Sequence, residues 1–371
     1  MKISIEKNLI YKALSHVQSI VEKKNTIPIL SNILLEATDS SIILSATDMD
    51  ISITETINCS VIEKGSVTVP AHTLHDIVRK IPDGNEIEFI SNDGKTFSIR
   101  SGKSKFSLSC LPKKDFPLIE IDKLNCEFSI NSKIFLQLIE KTKFAISNEE
   151  TRYFLNGIYF HKKSLNNTDY LSLVATDGHR LAKIDLPHPN GLVDIPGVII
   201  PKKTIYELCK LLTDINEDII INIDPNKIIF YIGKTTLISK LIDGNFPDYQ
   251  KVIPKNNNNI VTADRQKFCE VVDRVSTITS EKSRAIKFRL LNNLINMNSS
   301  DPENGTATED IIVQYGGEEI EIGFNSKYIL EMINQLEEEK LILEFNDSTS
   351  PLIVKESSNN DLIFVLMPMR V

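Results

Sequence analysis

Apolar positions along this chain follow two periods. Where they recur at i, i+3, i+4 and i+7 they mark one face of a helix. Ile10, Ala13, Leu14, Val17 and Val21 do so early, Phe135, Leu138, Ile139 and Thr142 in the middle, and Phe268, Val271, Val272 and Val275 late. Elsewhere apolar runs or alternation predict strands. These cover 30–36, 44–48, 86–90 and 106–111, then 155–160, 173–177, 219–223 and 237–241, and finally 341–345 and 363–367. A second helix is introduced by Pro70, by Pro201 and, less cleanly, by Phe324-Asn325; proline suits a helix start.

The pattern therefore repeats three times. The second helices share one signature, an aromatic or Thr, an aliphatic, any residue, an acid and two apolar residues, at 73–78, 204–209 and 328–333. Their acids, Asp76, Glu207 and Glu331, stand 131 and 124 positions apart. Periods of domain size predict three like globular units, not a solenoid of short repeats. Each unit has about 120 residues, two helices and about eight strands. Hairpin-spaced strands favour antiparallel sheets with helices on one side, an α+β fold. Boundaries are expected near Asp122-Lys123 and near Pro254, giving domains 1–122, 123–253 and 254–371. Three like domains point to a protein built for shape, away from a single catalytic pocket.

Composition narrows the class. The 371 residues are 41% hydrophobic, and no run reaches the roughly 18 apolar residues of a membrane span. The opening Met-Lys-Ile-Ser-Ile-Glu is charged where a secretory leader is apolar, so the chain reads as cytoplasmic. Five scattered cysteines, without Cys-x-x-Cys, indicate no metal site or disulfide framework. Net charge is −8. Yet the polar faces of the helices are basic: Lys12, Lys23, Lys24, Arg79 and Lys80 first; Lys133, Lys141, Lys143, Arg152, Lys202, Lys203 and Lys210 next; Arg265, Lys267, Arg274, Lys282, Arg284, Lys287 and Lys327 last. These are either solvated faces or, if the helices share one surface, a basic channel making sequence-blind phosphate contacts. Without Trp, binding of single strands by stacking is less attractive.

One segment differs between copies. Ala46-Thr47-Asp48-Met49-Asp50-Ile51 in the first becomes Ala175-Thr176-Asp177-Gly178-His179-Arg180-Leu181-Ala182 in the second. Gly-His-Arg occurs once, which marks either a functional segment or a tight turn that uses Gly178 for positive φ. The chain's end, residues 364–371, is apolar where termini are usually polar. It is either a core strand or, beside the first segment, the wall of an apolar groove edged by His179, Arg180 and Arg370.

With Phe246-Pro247-Asp248-Tyr249, 152–157, Gly323-Phe324-Asn325 and Met367-Pro368-Met369-Arg370, these segments make the chain resemble the bacterial DNA polymerase III beta subunit family, the sliding clamps, from end to end. The resemblance implies three structurally similar DNA-clamp domains, antiparallel sheets outside and helices lining the hole of a head-to-tail homodimeric ring. Duplex DNA would pass through without sequence preference, and the ring would tether the replicative polymerase. No cofactor, metal or catalytic residue is implied. Partners implied are the polymerase III alpha subunit, the clamp-loader complex and other proteins with a clamp-binding motif. Their peptides would place Leu and Phe in a pocket between the second and third domains. Matching positions are Leu155, Thr176, Gly178, His179, Arg180, Leu181, Pro247, Val252, Asn325, Tyr328, Val365, Leu366, Met367, Pro368, Met369 and Arg370. Lys24, Arg79, Asn148, Arg152 and Tyr153 match DNA-facing positions. Phe106, Leu108 and Ile278 match the dimer interface. Lys251, Ser283 and Pro351 depart from residues common in the family.

Two other readings are available. One is a clamp paralogue without processivity function. The other is a hydrolase or metal enzyme using Asp177 and His179, against which stand the lack of a second His or acid at motif spacing and of any nucleophile elbow.

Overall fold

The computed structural model describes residues 1–23, 26–92, 94–117, 126–165, 167–187, 195–281 and 283–370. Lys24, Lys282, Val371 and the expected boundary at Asp122-Lys123 lie outside the described residues. The first repeat runs β1 (Lys2–Glu6), α1 (Lys7–Gln18), β2 (Asn32–Ala37), β3 (Ser41–Thr47), β4 (Ile51–Asn58), β5 (Ser60–Glu63), β6 (Gly65–Pro70), α2 (Ala71–Lys80), β7 (Glu86–Ile90), β8 (Thr96–Ser101) and β9 (Ser104–Ser109). The second runs β10 (Cys126–Asn131), α3 (Ser132–Lys143), β11 (Gly157–Leu165), β12 (Thr168–Thr176), β13 (Arg180–Pro187), β14 (Val198–Pro201), α4 (Lys202–Leu212), β15 (Asp218–Ile223), β16 (Lys227–Ile232) and β17 (Thr235–Lys240). The third runs β18 (Asn259–Asp264), α5 (Arg265–Ser276), β19 (Ala285–Leu291), β20 (Leu294–Asp301), β21 (Gly305–Ile312), β22 (Ile320–Asn325), α6 (Ser326–Ile333), β23 (Lys340–Phe345), β24 (Leu352–Glu356) and β25 (Leu362–Leu366).

Local chemistry accounts for the helix starts. Asp264 caps α5 by accepting from Lys267 N–H, and Asn325 caps α6 by accepting from Lys327 and Tyr328. Pro70 and Pro201 end strands immediately before α2 and α4. Two expected strands begin later than their apolar runs. Pro28–Ser31 and Glu150–Leu155 form 3-10 turns, which place Leu30 and Leu155 in the core without sheet pairing. β11 opens at Gly157, where a Cβ would lie 2.2 Å from the Ile200 carbonyl oxygen across the β14 pairing.

The chain divides into two compact units: Met1–Leu136, Pro189–Pro196 and Lys203–Leu241 form one, and Gln137–His188, Gly197–Lys202 and Ile242–Val371 the other. The first contains a five-stranded sheet, β5-β1-β7-β8-β9, and an eight-stranded sheet, β10-β15-β16-β17-β4-β3-β2-β6. Its core holds the pairs Phe89–Phe97 and Phe135–Phe230, with ring centroids 5.1 and 6.0 Å apart. The second contains an eight-stranded sheet, β14-β11-β12-β13-β25-β24-β23-β18, and a four-stranded sheet, β21-β20-β19-β22. A run of buried rings, Phe268, Phe288, Phe324 and Phe345, fills its core. Burying each such ring contributes roughly 1.5–3 kcal/mol. The ladders are antiparallel. Among the described residues no helix is long and apolar enough to cross a membrane.

Three sequence repeats become two units because each eight-stranded sheet joins strands of neighbouring repeats. The last strand of the second repeat, β17, pairs with β4 of the first. The last strand of the third, β25, pairs with β13 of the second. β4 and β13 occupy the same place in their repeats. Two strands of this scheme stay open: β9, the last strand of the first repeat, and β21, the counterpart of β4 and β13 in the third. Each is an edge of its sheet.

Candidate functional site

The singular segment 175–182 is a turn whose aspartate hydrogen bonds recur in every repeat. Asp177 Oδ1 accepts from the N–H groups of His179 and Arg180, at 2.9 and 3.0 Å. Thr176 Oγ1 accepts from Gly178 N–H and donates to the Arg180 carbonyl. In the first repeat Asp48 accepts from Asp50 and Ile51, and Thr47 from Met49. In the third, Asp301 accepts from Glu303 and Asn304. The aspartate is thus part of the turn's construction. Asp177 Oδ2 takes Arg180 Nε at 3.0 Å, so both its oxygens are committed, which leaves it poorly placed as a base. Among the described residues no group of three His, Cys, Asp or Glu could hold a metal ion.

Gly178 has φ +88°, and Met49 holds φ +82° at the same place in the first repeat. Positive φ alone therefore does not require glycine here. A Cβ on Gly178 would in addition sit 2.5 Å from Arg152 Nη1, the far end of a flexible side chain that would have to shift. Arg152 lies against the turn, with Nη2 donating to the Asp177 carbonyl at 3.2 Å and Nε to Glu149 at 2.8 Å. An expected DNA-facing cation is thus spent on an acid and on this turn.

Arg180 is buried, and each of its three guanidinium nitrogens is bonded. Its guanidinium pairs with Asp177 and Glu331, donates to the Phe144 carbonyl at 2.7 Å, and lies 4.4 Å from the Tyr328 ring centroid. Glu331 is the repeated acid of the second-helix signature, so one motif residue anchors another. The arginine fixes His179 and Tyr328, whose rings stack at 6.3 Å.

The chain's end runs beside this turn. β25 pairs with β13, placing Leu366 opposite Arg180 and Val365 opposite Leu181. Met367 N–H then donates to the His179 carbonyl at 2.9 Å, and Met369 N–H to Gly323 at 2.9 Å. Beneath lies a packed floor of Val174, Leu181, Tyr249 and Val365, with Tyr159, Phe246, Ile253 and Ile363 against it. Leu155, Thr176 and Leu366 are buried as well, while His179, Pro247, Val252, Met367 and Arg370 are exposed. Buried floor and exposed rim together make a surface on which apolar side chains can dock.

Beside Pro368, Met369 and Arg370 opens a cavity of about 540 Å³, lined also by Lys287, Glu321, Ile322, Gly323, Ser348 and Thr349. Lys287 pairs with Glu321 at 2.9 Å. In the sequence, Lys287 stands out only as a cation and Gly323 only within a motif, and Glu321, Ile322, Ser348 and Thr349 carry no signal, because these neighbours come from β19, β22 and a separate loop.

Arg79 is paired with Asp76 at 3.0 Å, and Asn148 is bonded by Lys202. Tyr153 is half exposed. Phe106 is exposed on the open β9, and Leu108 lies on the same strand. Ile278 follows α5. Many cations of the helix faces have acidic partners: Lys12 with Asp214, Lys141 with Glu337, Lys203 with Asp48, Lys210 with Glu207 and Arg274 with Glu309.

Comparison with known proteins covers the whole chain. Models of the DNA polymerase III beta subunit match in three parts: the N-terminal domain at residues 1–120, the central domain at 129–248 and the C-terminal domain at 250–370. The beta sliding clamp of Caulobacter vibrioides (strain NA1000 / CB15N) is 44% identical over 372 residues, covering 100% of both chains. A crystal structure of the C. crescentus beta sliding clamp has a TM-score of 0.98 at 44% identity, covering 100% of this chain and 99% of that one. A sliding clamp from Bartonella birtlesii, bound to griselimycin, has a TM-score of 0.97 at 42% identity, with both chains covered in full.

Proposed function

We propose, from the premise that this chain belongs to the bacterial DNA polymerase III beta subunit (sliding clamp) family, that two copies close head to tail through β9 and β21 and dock partner peptides on the surface around Gly178 and Met367. Membership makes the chain a non-catalytic DNA sliding clamp of three clamp domains, acting in replication with DNA and a polymerase as partners.

The observation that carries the dimer is the repeated junction. Within the chain, the last strand of a repeat pairs with one particular strand of the repeat before it, twice. The same rule applied between chains brings β9 of one copy onto β21 of the other. Open edges invite such pairing, and a head-to-tail arrangement that closes makes a ring. β9 carries Phe106 and Lys105, and β21 carries Asp310 and the exposed Ile312, so apolar and charged groups are complementary. Leu108 and Ile278 would flank this contact. The domains are 1–122, 123–253 and 254–371.

The peptide surface would seat Leu and Phe side chains over Leu155, Thr176, Leu181, Pro247, Val252, Val365 and Leu366. Gly178, His179, Asn325, Tyr328, Met367, Pro368, Met369 and Arg370 would form its rim, with Arg180 holding the rim from below. Its users would be the polymerase III alpha subunit, the clamp loader and other clamp-binding-motif proteins, in the cytoplasm. Lys24, Arg79, Asn148, Arg152 and Tyr153 would face DNA. Deleting residues 367–371 tests the surface. A fluorescein-labelled hexapeptide ending in Leu-Phe should lose binding by anisotropy while the dimer persists. Unchanged affinity would sink the assignment.

A further inference from the structure

The acid of the second-helix signature makes the same pair of contacts in two repeats. In the second, Glu207 on α4 receives Lys210 of its own helix on Oε1 at 2.7 Å. Its Oε2 turns to the first repeat and accepts from Ser19 Oγ. In the third, Glu331 on α6 receives Lys327 of its own helix on Oε1 at 3.6 Å. Its Oε2 turns to the second repeat and accepts from Arg180. Ser19 is the residue that follows α1. Phe144 holds that place after α3, and its carbonyl accepts from the same Arg180 guanidinium at 2.7 Å. Each acid thus reaches the end of the first helix of the repeat before it, directly or through one arginine.

Asp76 on α2 is the third acid of the signature. Its Oδ1 receives Arg79 of its own helix at 3.0 Å, with His75 Nδ1 at 3.8 Å. Its Oδ2 has no hydrogen-bond or ion-pair partner among the described residues. The side chain is 55% exposed, against 8% for Glu207 and 33% for Glu331. In a ring closed head to tail, the repeat before the first is the third repeat of the second copy. There the residue that follows α5 is Thr277, which is exposed. It is built as Ser19 is. The N–H of each donates to the carbonyl three positions back, and each hydroxyl donates to a carbonyl of the last helical turn, His16 for Ser19 and Asp273 for Thr277.

We propose that Asp76 is the acid of the junction between copies, its Oδ2 accepting from Thr277 Oγ1 of the second copy. The inference rests on the head-to-tail closure above and names one contact within it. The internal junctions supply the rule: one carboxylate oxygen serves the acid's own helix and the other serves the preceding repeat. Asp76 already obeys the first half. A hydroxyl bonded to a carboxylate is a charge-assisted contact, stronger than the bond to a carbonyl that it replaces or shares. The pair lies at the surface of each copy, so its contribution is modest, about threefold at each junction. A two-fold ring has two identical junctions, which makes about tenfold for the dimer.

The test measures the dimer dissociation constant of the full chain by sedimentation velocity across a dilution series. Asp76→Asn and Thr277→Val, both close to isosteric, should each raise it about tenfold. The double variant should lose no more than either single one, because both remove the same contact. Thr277→Ser keeps the hydroxyl and should stay near the wild type. Ser19→Ala removes the corresponding bond inside the chain and should leave the dimer unchanged. Single variants with the wild-type constant, a double variant whose loss is the product of the two single losses, or a Thr277→Ser loss equal to that of Thr277→Val overturns the pairing. So does a Ser19→Ala variant that weakens the dimer as much as Thr277→Val. A wild-type chain that stays monomeric, or a dimer indifferent to Phe106→Asp, overturns the closure itself.

Discussion

A glycine and a methionine at equivalent turns separate two causes that look alike in sequence. Met49 and Gly178 hold nearly the same positive φ, and a side chain in that region costs roughly 1–2 kcal/mol. Only Gly178 has a neighbour, Arg152, where a Cβ would be. Met49→Gly should therefore raise stability by up to about 1 kcal/mol, strain relief exceeding the added chain entropy. Gly178→Ala should lower it by about 1 kcal/mol and weaken the hexapeptide, because the flexible end of Arg152 must shift at the turn. Thermal unfolding of both variants, with peptide anisotropy for the second, checks the pair; equal effects would show that φ alone matters. The turn was legible because its Thr and Asp recur. Its crowding was not, because Arg152 is brought there by a 3-10 turn 25 positions earlier, and no period links the two. The partners of Arg180 were hidden likewise: Glu331 and Phe144 lie far along the chain.

Elements were legible where one period governs them. The three first helices and the strand runs follow from spacing alone, and the second helices from their prolines and caps. Pairing partners were not. The contacts β17–β4 and β25–β13 join residues nearly two hundred positions apart, and alternation says which face a strand buries but not what lies beside it. These junctions, not the repeats, decide which residues form compact units. The proposed closure extends the same rule to the two open edges. Replacing Phe106, exposed on β9, by Asp would put a carboxylate against the acidic β21 of the other copy. Like charges and lost apolar contact should raise the dimer dissociation constant by at least about tenfold, an effect of roughly 1.4 kcal/mol. Sedimentation velocity across a dilution series reads this directly. An unaltered dimer would remove β9 from the interface.

At the scale of the whole molecule, hold on DNA must come from closure more than from contacts. The chain is acidic, with net charge −8, and helix-face cations that sequence presents as free are largely answered by acids: Arg79 by Asp76, Lys203 by Asp48, Arg274 by Glu309. Lys23, Lys80, Lys133 and Lys267 have no acidic partner among the described residues, enough for a few phosphate contacts per copy. Such contacts weaken steeply with salt, whereas a closed ring on circular DNA is held by topology. Light scattering should find a species near twice 41.9 kDa. Loaded on a nicked circle, that species should survive a rise from 0.05 to about 0.5 M salt, while charge reversal at Lys23 and Lys80 changes only the low-salt affinity for linear duplex. Cutting the circle should release it at either salt. A monomer at every concentration, or retention on cut DNA equal to that on the circle, would mean that contacts do the holding and that β9 and β21 do not close the ring.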